Sequence, residues 1–100
     1  ALIDENYILT SALSGHEAIN YLKEAEFDVC LLDMEMPDMN GFEVLDWIRH
    51  NTRKLKVIFI TGDKSMPTIK KSEDYGVRDY VTKPINPSIL RESINSVLMH

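Results

Sequence analysis

Two short runs of consecutive apolar residues constrain the fold of this chain most narrowly. Residues 29–32 read Val-Cys-Leu-Leu, and residues 57–60 read Val-Ile-Phe-Ile. Apolar runs of this length are typical of strands that are buried on both faces, as in the interior of a parallel sheet. Neighbouring parallel strands need a crossover connection, which is usually a helix. The sequence therefore predicts an α/β domain in which helices cover both faces of a parallel sheet.

Four strand-like runs alternate with four segments of helical periodicity along the chain. The strands are expected at Tyr7–Thr10, Phe27–Leu32, Val57–Ile60 and Tyr80–Thr82. Strands that alternate with helices predict parallel pairing through right-handed crossovers. Local signals that mark helix ends are the capping box of Ser14 and Glu17, the glycine Gly41, the pair Pro67 and Gly76, and the pair Asn86 and Pro87.

Composition restricts the partners and the compartment. With 11 Lys and Arg against 16 Asp and Glu, the 100-residue chain has a net charge of −5, which argues against direct nucleic-acid binding. The single cysteine allows neither an intramolecular disulfide nor a cysteine-based zinc site, which fits a reducing compartment. No apolar stretch approaches the roughly 18 residues of a membrane span, and the N-terminus lacks the basic region of a signal peptide. We therefore expect one cytoplasmic domain over residues 1–100, with no membrane contact.

Three chemically distinct side chains follow the ends of three predicted strands: Asp33, Thr61 and Lys83. The carboxyl ends of parallel strands meet at one edge of the sheet, where the sites of open α/β folds form. An aspartate can attack phosphorus and form an acyl phosphate. A lysine, a hydroxyl and Mg²⁺ are groups that stabilise the charged phosphoryl group during transfer. The strand ends therefore predict a phosphoryl-transfer site.

Three sequence blocks resemble those of bacterial response-regulator receiver domains. Residues 31–41, Leu-Leu-Asp-Met-Glu-Met-Pro-Asp-Met-Asn-Gly, resemble the phosphoacceptor loop of that family. Residues 59–62, Phe-Ile-Thr-Gly, and residues 79–84, Asp-Tyr-Val-Thr-Lys-Pro, are similar to its two other signatures, in the same order and spacing. The resemblance covers essentially the whole chain. It implies a flavodoxin-like, doubly wound sheet with strand order 2-1-3-4-5, and phosphotransfer from a histidine kinase or a histidine phosphotransfer protein.

The resemblance implies a role for each matching residue. Asp33 matches the phosphorylated aspartate, and it shares Mg²⁺ ligation with the backbone carbonyl of Glu35. Thr61 matches the switch hydroxyl, which moves to bond a phosphoryl oxygen. Lys83 matches the lysine that pairs with the phosphate, and the resemblance implies a cis peptide bond between Lys83 and Pro84.

Further positions in the resemblance concern switching and phosphate lifetime. Tyr80 matches the aromatic switch residue that turns inward on activation, and its position fits a packed strand aromatic equally well. Glu35 and Asp63 lie where side chains of the family flank the aspartyl phosphate; they would orient the hydrolytic water or repel the phosphoryl group. The expected readout and homodimer surface is the face formed by the fourth strand and the helices Pro67–Tyr75 and Pro87–Met99.

Several other residues are expected to have structural roles. Asp38 fits a turn or the start of a helix. Cys30 lies inside an apolar strand and is expected in the core. The methionines Met34, Met36 and Met39 are expected to pack the loop rather than to bind a metal or cofactor. The three histidines share no metal-ligand spacing, and we expect them at the surface.

The N-terminal part of the family pattern has no match in this sequence. The family begins with a strand that ends in an acidic pair holding Mg²⁺, followed by a first helix. Only 32 residues precede Asp33, and Asp4 and Glu5 are followed by Tyr7–Thr10, which matches the second strand of the family. We therefore expect a further strand with its acidic pair before Ala1, or a strand from a partner chain, because buried backbone groups would otherwise stay unpaired.

Two other functions remain open from the sequence. A pseudo-receiver, which keeps the fold and binds partners without being phosphorylated, is favoured by the missing acidic pair. A flavin carrier or flavodoxin-like enzyme needs a phosphate-cradling loop after the first strand, and the chain has only 4 Gly, none of them clustered. We expect instead a phosphorylation-switched signalling domain that catalyses only its own phosphorylation and dephosphorylation.

Overall fold

The computed structural model of the chain describes residues 14–52, 54–62 and 65–99. Helices and strands alternate in the order α1 (Gly15–Glu24), β1 (Val29–Asp33), α2 (Gly41–Asn51), β2 (Lys56–Thr61), α3 (Met66–Asp74), β3 (Asp79–Thr82) and α4 (Pro87–Met99). The strand predicted at Tyr7–Thr10, the neighbouring Asp4 and Glu5, and Asp63 lie outside the described residues. Within the described part of the chain, no helix is long and apolar enough to cross a bilayer.

The described strands form one parallel sheet in the order β1-β2-β3. Asp33 lies opposite Ile60 in the first pair of strands, and Thr61 lies opposite Thr82 in the second. β1 and β2 each extend one residue beyond the predicted run, so Asp33 and Thr61 are the last residues of their strands. The parallel pairing confirms the predicted parallel sheet with helical connections, while the handedness of the crossovers and the five-strand order stay predictions.

Two hydrophobic clusters lie on the two faces of the sheet. The first packs against α1 and α2, and its buried members are Leu32, Phe42, Val44, Leu45, Ile48, Leu55, Val57 and Phe59. The second packs against α4, and its buried members are Ile58, Val81, Leu90, Ile94 and Val97. Successive side chains of a strand point to opposite faces. Val57 and Ile58 accordingly enter different clusters, as predicted for a strand buried on both faces.

The sulfur-containing residues near the sheet pack as the sequence indicates. Cys30, Met34, Met36 and Met39 are partly buried and lie against the first cluster. Burial raises the pKa of the Cys30 thiol to about 11. The thiol therefore stays protonated at neutral pH and acts as a small apolar group in β1.

The ends of the helices follow the local signals in the sequence. The Ser14 hydroxyl oxygen accepts the amide N–H of Glu17 at 3.1 Å at the start of α1. Asn40 caps α2 in the same way, because its side-chain oxygen accepts the amide N–H of Glu43 at 3.1 Å. Gly76 follows α3 with φ of 77°, a left-handed conformation that glycine adopts at little cost.

One arginine connects three segments near the starts of β2 and β3. Arg49, close to the end of α2, donates from Nε to the carbonyl of Tyr75, from Nη2 to that of Gly76 at 2.9 Å and from Nη1 to that of Leu55 at 3.2 Å. Burial, and then the charge of Arg78, lower the pKa of Arg49 from its ordinary value. Arg49 stays charged and fixes the end of α3 against α2.

We expect Arg49→Ala to lower the free energy of unfolding by roughly 2 kcal/mol or more, because hydrogen bonds from a charged donor contribute about 1.5–3 kcal/mol. Arg49→Lys should not restore this loss, since an ammonium cannot reproduce the planar fork of a guanidinium. Urea denaturation measures both. Arg91→Ala, at an exposed position of α4, is the matched control, and equal losses for Arg49→Ala and Arg91→Ala would contradict the connection.

Candidate functional site

The carboxyl ends of the three strands are hydrogen-bonded side by side. The amide of Met34 donates to the carbonyl of Ile60 at 2.8 Å, and the amide of Lys83 donates to the carbonyl of Thr61 at 2.9 Å. These bonds carry the pairing one residue beyond β1 and β3. The three predicted site residues therefore lie at the ends of neighbouring strands, at one edge of the sheet: Asp33, Thr61 and Lys83.

A carboxylate and an ammonium group form an ion pair at this edge. Nζ of Lys83 lies 3.0 Å from Oδ2 of Asp33, and Oδ1 of Asp33 accepts the amide N–H of Glu35 at 2.8 Å. The side chains of Asp33 and Lys83 are 40% and 34% exposed. The carboxylate is thus held by contacts at both oxygens while remaining accessible to a reagent in solution. The peptide bond between Lys83 and Pro84 is cis, as the resemblance implied.

The Thr61 side chain, at the end of β2, is buried in the interior of the domain. It is only 1% exposed, and its hydroxyl donates to Sδ of Met34 at 3.3 Å. The Met34 carbonyl accepts the amide N–H of Gly41 at 2.8 Å. A β-carbon at Gly41 would lie 2.8 Å from Cα of Met34 and 2.7 Å from the Phe59 ring. Only glycine allows the loop after Asp33 to return this closely to the strand.

One of the two carboxylates expected beside the phosphate lies next to the ion pair. Oε2 of Glu35 is 4.0 Å from Nζ of Lys83, and a β-carbon at Gly62 would lie 3.7 Å from Oε1 of Glu35. Glu35 therefore extends along the rim between the ends of β1 and β2. The second expected carboxylate, Asp63, is outside the described residues.

The donor set at this edge matches part of a magnesium site. Mg²⁺ prefers an octahedron of oxygen ligands, usually one or two carboxylates together with water and phosphate oxygens. The Asp33 carboxylate and the Glu35 backbone carbonyl fit such a set. Among residues 14–52, 54–62 and 65–99, no three His, Cys, Asp or Glu side chains come together at a possible metal site. Ligation of Mg²⁺ by Asp33 and the Glu35 carbonyl therefore stays a prediction.

Tyr80 is partly exposed in this structure. About a third of the residue, 37%, is open to solvent. It lines a shallow surface groove of about 330 Å³ whose other lining residues are Asp79, Val81, Thr82, Pro84, Asn86 and Ile89. An inward turn of this side chain is a prediction that the present conformation does not test.

Asp38 has a role that local sequence signals identified only in part. It is a helix-start acid, as predicted, but the helix is the distant α1. Its Oδ1 accepts the amide N–H of Gly15 at 2.8 Å and its Oδ2 accepts that of His16 at 2.9 Å, while Nδ1 of His16 contacts the same Oδ2. The amide hydrogen bonds from His16 and Gly15 hold the pKa of Asp38 well below its usual range. This contact anchors the loop after Asp33 to α1.

We expect Asp38→Ala to destabilise the protein at pH 7, and the difference from wild type to shrink on acidification. The folded-state pKa of Asp38 lies below the unfolded value of about 3.9. Its stabilisation is therefore complete above that value and is lost as the pH falls through the folded-state pKa. Urea denaturation between pH 7 and about pH 3 measures the difference. The control is Asp28→Ala, at an exposed acid, and a pH-independent difference for Asp38→Ala would refute this role.

The chain is similar to known proteins over a range that includes Asp33, Thr61 and Lys83. The profile of the response regulator receiver domain matches residues 1–95. The chain is 34% identical over 96 residues to a Vibrio cholerae protein named as a probable cyclic di-GMP phosphodiesterase, covering 94% of this chain and 22% of that protein. It is 30% identical over 92 residues to the transcriptional regulatory protein CitT of Halalkalibacterium halodurans, covering 90% and 40% of the two chains.

A solved structure shares the architecture. The signal receiver domain of a LuxO repressor protein from Vibrio parahaemolyticus superposes with a TM-score of 0.89 at 32% identity, over 95% of this chain and 73% of that one. This similarity confirms the predicted α/β fold, a parallel sheet flanked by helices. The chain spans between 20% and 45% of the length of the curated relatives that it matches.

Proposed function

The chain belongs to the response regulator receiver domain family, and we propose that Asp33 is the residue on which it accepts a phosphoryl group. Domains of this family are the phosphoacceptor signalling domains of two-component systems. The observation that carries the assignment is the 3.0 Å contact between the Asp33 carboxylate and the Lys83 ammonium where the strand ends meet. A nucleophile next to a positive charge, with a hydroxyl residue at the end of the neighbouring strand, fits phosphoryl transfer.

The proposed donor is a phosphohistidine of a histidine kinase or of a histidine phosphotransfer protein. An oxygen of Asp33 attacks phosphorus, the phosphorus–nitrogen bond breaks, and the imidazole leaves with the bonding electron pair. The Lys83 ammonium pairs with the Asp33 carboxylate before the transfer and with a phosphoryl oxygen after it. Such transfer depends on positioning and on electrostatic stabilisation rather than on further covalent steps.

Mg²⁺ is the cofactor that the family generally uses for this reaction, and the Asp33 carboxylate and the Glu35 backbone carbonyl would hold it here. When bound, the ion neutralises charge on the phosphoryl oxygens. Glu35 and Asp63 set the lifetime of the phosphate, either by orienting the hydrolytic water or by repelling the phosphoryl group.

The phosphate acts as a signal by changing the conformation of two residues. In the active state the Thr61 hydroxyl bonds a phosphoryl oxygen and Tyr80 turns inward. The readout surface is the face formed by β3, α3 and α4, which is also the proposed homodimer surface. The partial exposure of Tyr80, Ile85 and Ile89 supports a face that partners can recognise.

The proposed scope is a single receiver domain over residues 1–100. Its reaction is limited to its own phosphorylation and dephosphorylation, and any output activity belongs to other parts of a longer protein or to partners. The relatives support this division, because a phosphodiesterase and a transcriptional regulator share the same region. The net charge of −5 supports a domain that does not itself bind nucleic acid. The proposed location is cytoplasmic, which is typical of response regulators.

We expect acetyl phosphate with Mg²⁺ to add one phosphoryl group to the wild-type protein and none to Asp33→Asn, because the amide lacks the nucleophilic oxygen. Intact mass spectrometry measures the product. The control is Asp28→Asn. Asp28 is exposed and directly precedes β1, so this variant should be labelled like the wild type. Labelling of Asp33→Asn would refute the assignment, and an unlabelled wild type would favour the pseudo-receiver.

We expect Lys83→Ala to separate phosphorylation from its conformational response. The variant should still bind beryllofluoride at Asp33, but the amide NMR shifts of α3 and α4 that beryllofluoride induces should largely disappear. Its unfolding free energy should change by less than about 1 kcal/mol, because partly exposed ion pairs contribute little. Lys70→Ala, at an exposed position of α3, is the control. A Lys83→Ala variant with a full response would show that the ammonium is not needed.

A further inference from the structure

The hydroxyl that the proposed mechanism needs at the phosphate is engaged elsewhere in this structure. Thr61 is almost fully buried, and its Oγ1 donates to the thioether sulfur of Met34 at 3.3 Å. Resting on the proposed function of Asp33 and Thr61, we propose that Met34 is a positioning residue. Its sulfur holds the Thr61 hydroxyl in the resting orientation and releases it when Asp33 is phosphorylated.

The main chain of Met34 is fixed on both sides. Its amide donates to the Ile60 carbonyl and its carbonyl accepts the Gly41 amide, both at 2.8 Å. A β-carbon at Gly41 would lie only 2.8 Å from Cα of Met34, so the backbones of the two residues are in close contact. The side chain is half-buried against the first cluster. The sulfur is therefore held at a defined place one residue after the phosphoacceptor, opposite the last residue of β2.

The choice of acceptor explains how one hydroxyl can serve two states. A buried hydroxyl that donates to nothing is unfavourable, so the resting state needs an acceptor within the protein. A thioether sulfur is a weak acceptor, whereas hydrogen bonds to anionic oxygens are roughly twice as strong as neutral ones. Thr61 therefore stays satisfied at rest and gains a stronger acceptor once the phosphoryl group arrives.

The Met34 contact consequently sets the equilibrium between the two states. A ligand shifts a conformational equilibrium only through its different affinity for each state. Removing the sulfur raises the free energy of the resting state and leaves the phosphoryl contact of the active state intact. The active conformation then becomes more populated before any phosphate binds, and mimics of the phosphoryl group bind more tightly.

The test is the affinity of the protein for beryllofluoride in the presence of Mg²⁺. Met34→Leu keeps the side-chain volume and removes the sulfur, and it should tighten binding roughly two- to tenfold, the effect of one weak hydrogen bond. Met36→Leu is the matched control, because Met36 packs against the same cluster from the same loop. Equal affinities for Met34→Leu and the wild type would overturn the proposal.

A double-mutant cycle separates the hydrogen bond from packing. Thr61→Val keeps the shape of the side chain and removes the hydroxyl. In that background Met34→Leu should leave beryllofluoride affinity unchanged, because the contact it disrupts no longer exists. The same gain in both backgrounds would show that Met34 acts through packing, which would overturn its role toward Thr61.

A measurement on the resting protein completes the test without any activator. With ¹³C-labelled methionine methyl groups, Thr61→Val should shift the Met34 resonance and leave that of Met36 in place. An unshifted Met34 resonance would overturn the contact. A wild type that binds no beryllofluoride would overturn the proposed function and the activation role of Met34 together, whereas binding that is insensitive to Met34→Leu overturns only the latter.

Discussion

The lateral hydrogen bonds between β1, β2 and β3 are the constraint on which the site depends. Asp33, Thr61 and Lys83 are far apart in sequence, and each is positioned by the strand that it ends or follows. The register continues past the strands through the amides of Met34 and Lys83. A shift of one residue in either pairing would move a site residue to the other face of the sheet. Burial of β2 in both clusters prevents such a shift, so the hydrophobic core and the chemistry share one register.

Residues whose roles depend on local geometry could be predicted from the sequence. The Ser14 cap and the left-handed Gly76 depend on neighbours within a few positions. The meeting of Asp33 with Lys83 is a long-range contact, but parallel strands bring their carboxyl ends to one edge by topology alone. The residues at the strand ends were therefore sufficient to predict that Asp33 and Lys83 meet, while their role in phosphoryl transfer stays a prediction.

Contacts between separate segments could not be predicted in the same way. Asp38 carries an ordinary helix-start signal, yet it caps α1 and not the helix that follows it. The three carbonyls bound by Arg49 come from two other segments, and backbone carbonyls have no sequence signature. The sulfur contact of Thr61 joins the end of β2 to the first residue of the loop after Asp33, which Gly41 approaches closely. Each of these contacts depends on how separate helices, strands and loops pack against one another. The hydrophobic periodicity of the sequence carries no information about that packing.

The arginine bridge makes one side chain responsible for the contact between three segments. All three acceptors of Arg49 are backbone carbonyls, of Tyr75, Gly76 and Leu55. A backbone carbonyl is present whatever side chain its residue carries. Substitution of Tyr75 or Leu55 therefore leaves the acceptor in place, whereas substitution of Arg49 removes all three hydrogen bonds at once. The chain can vary at the acceptor positions more freely than at the donor.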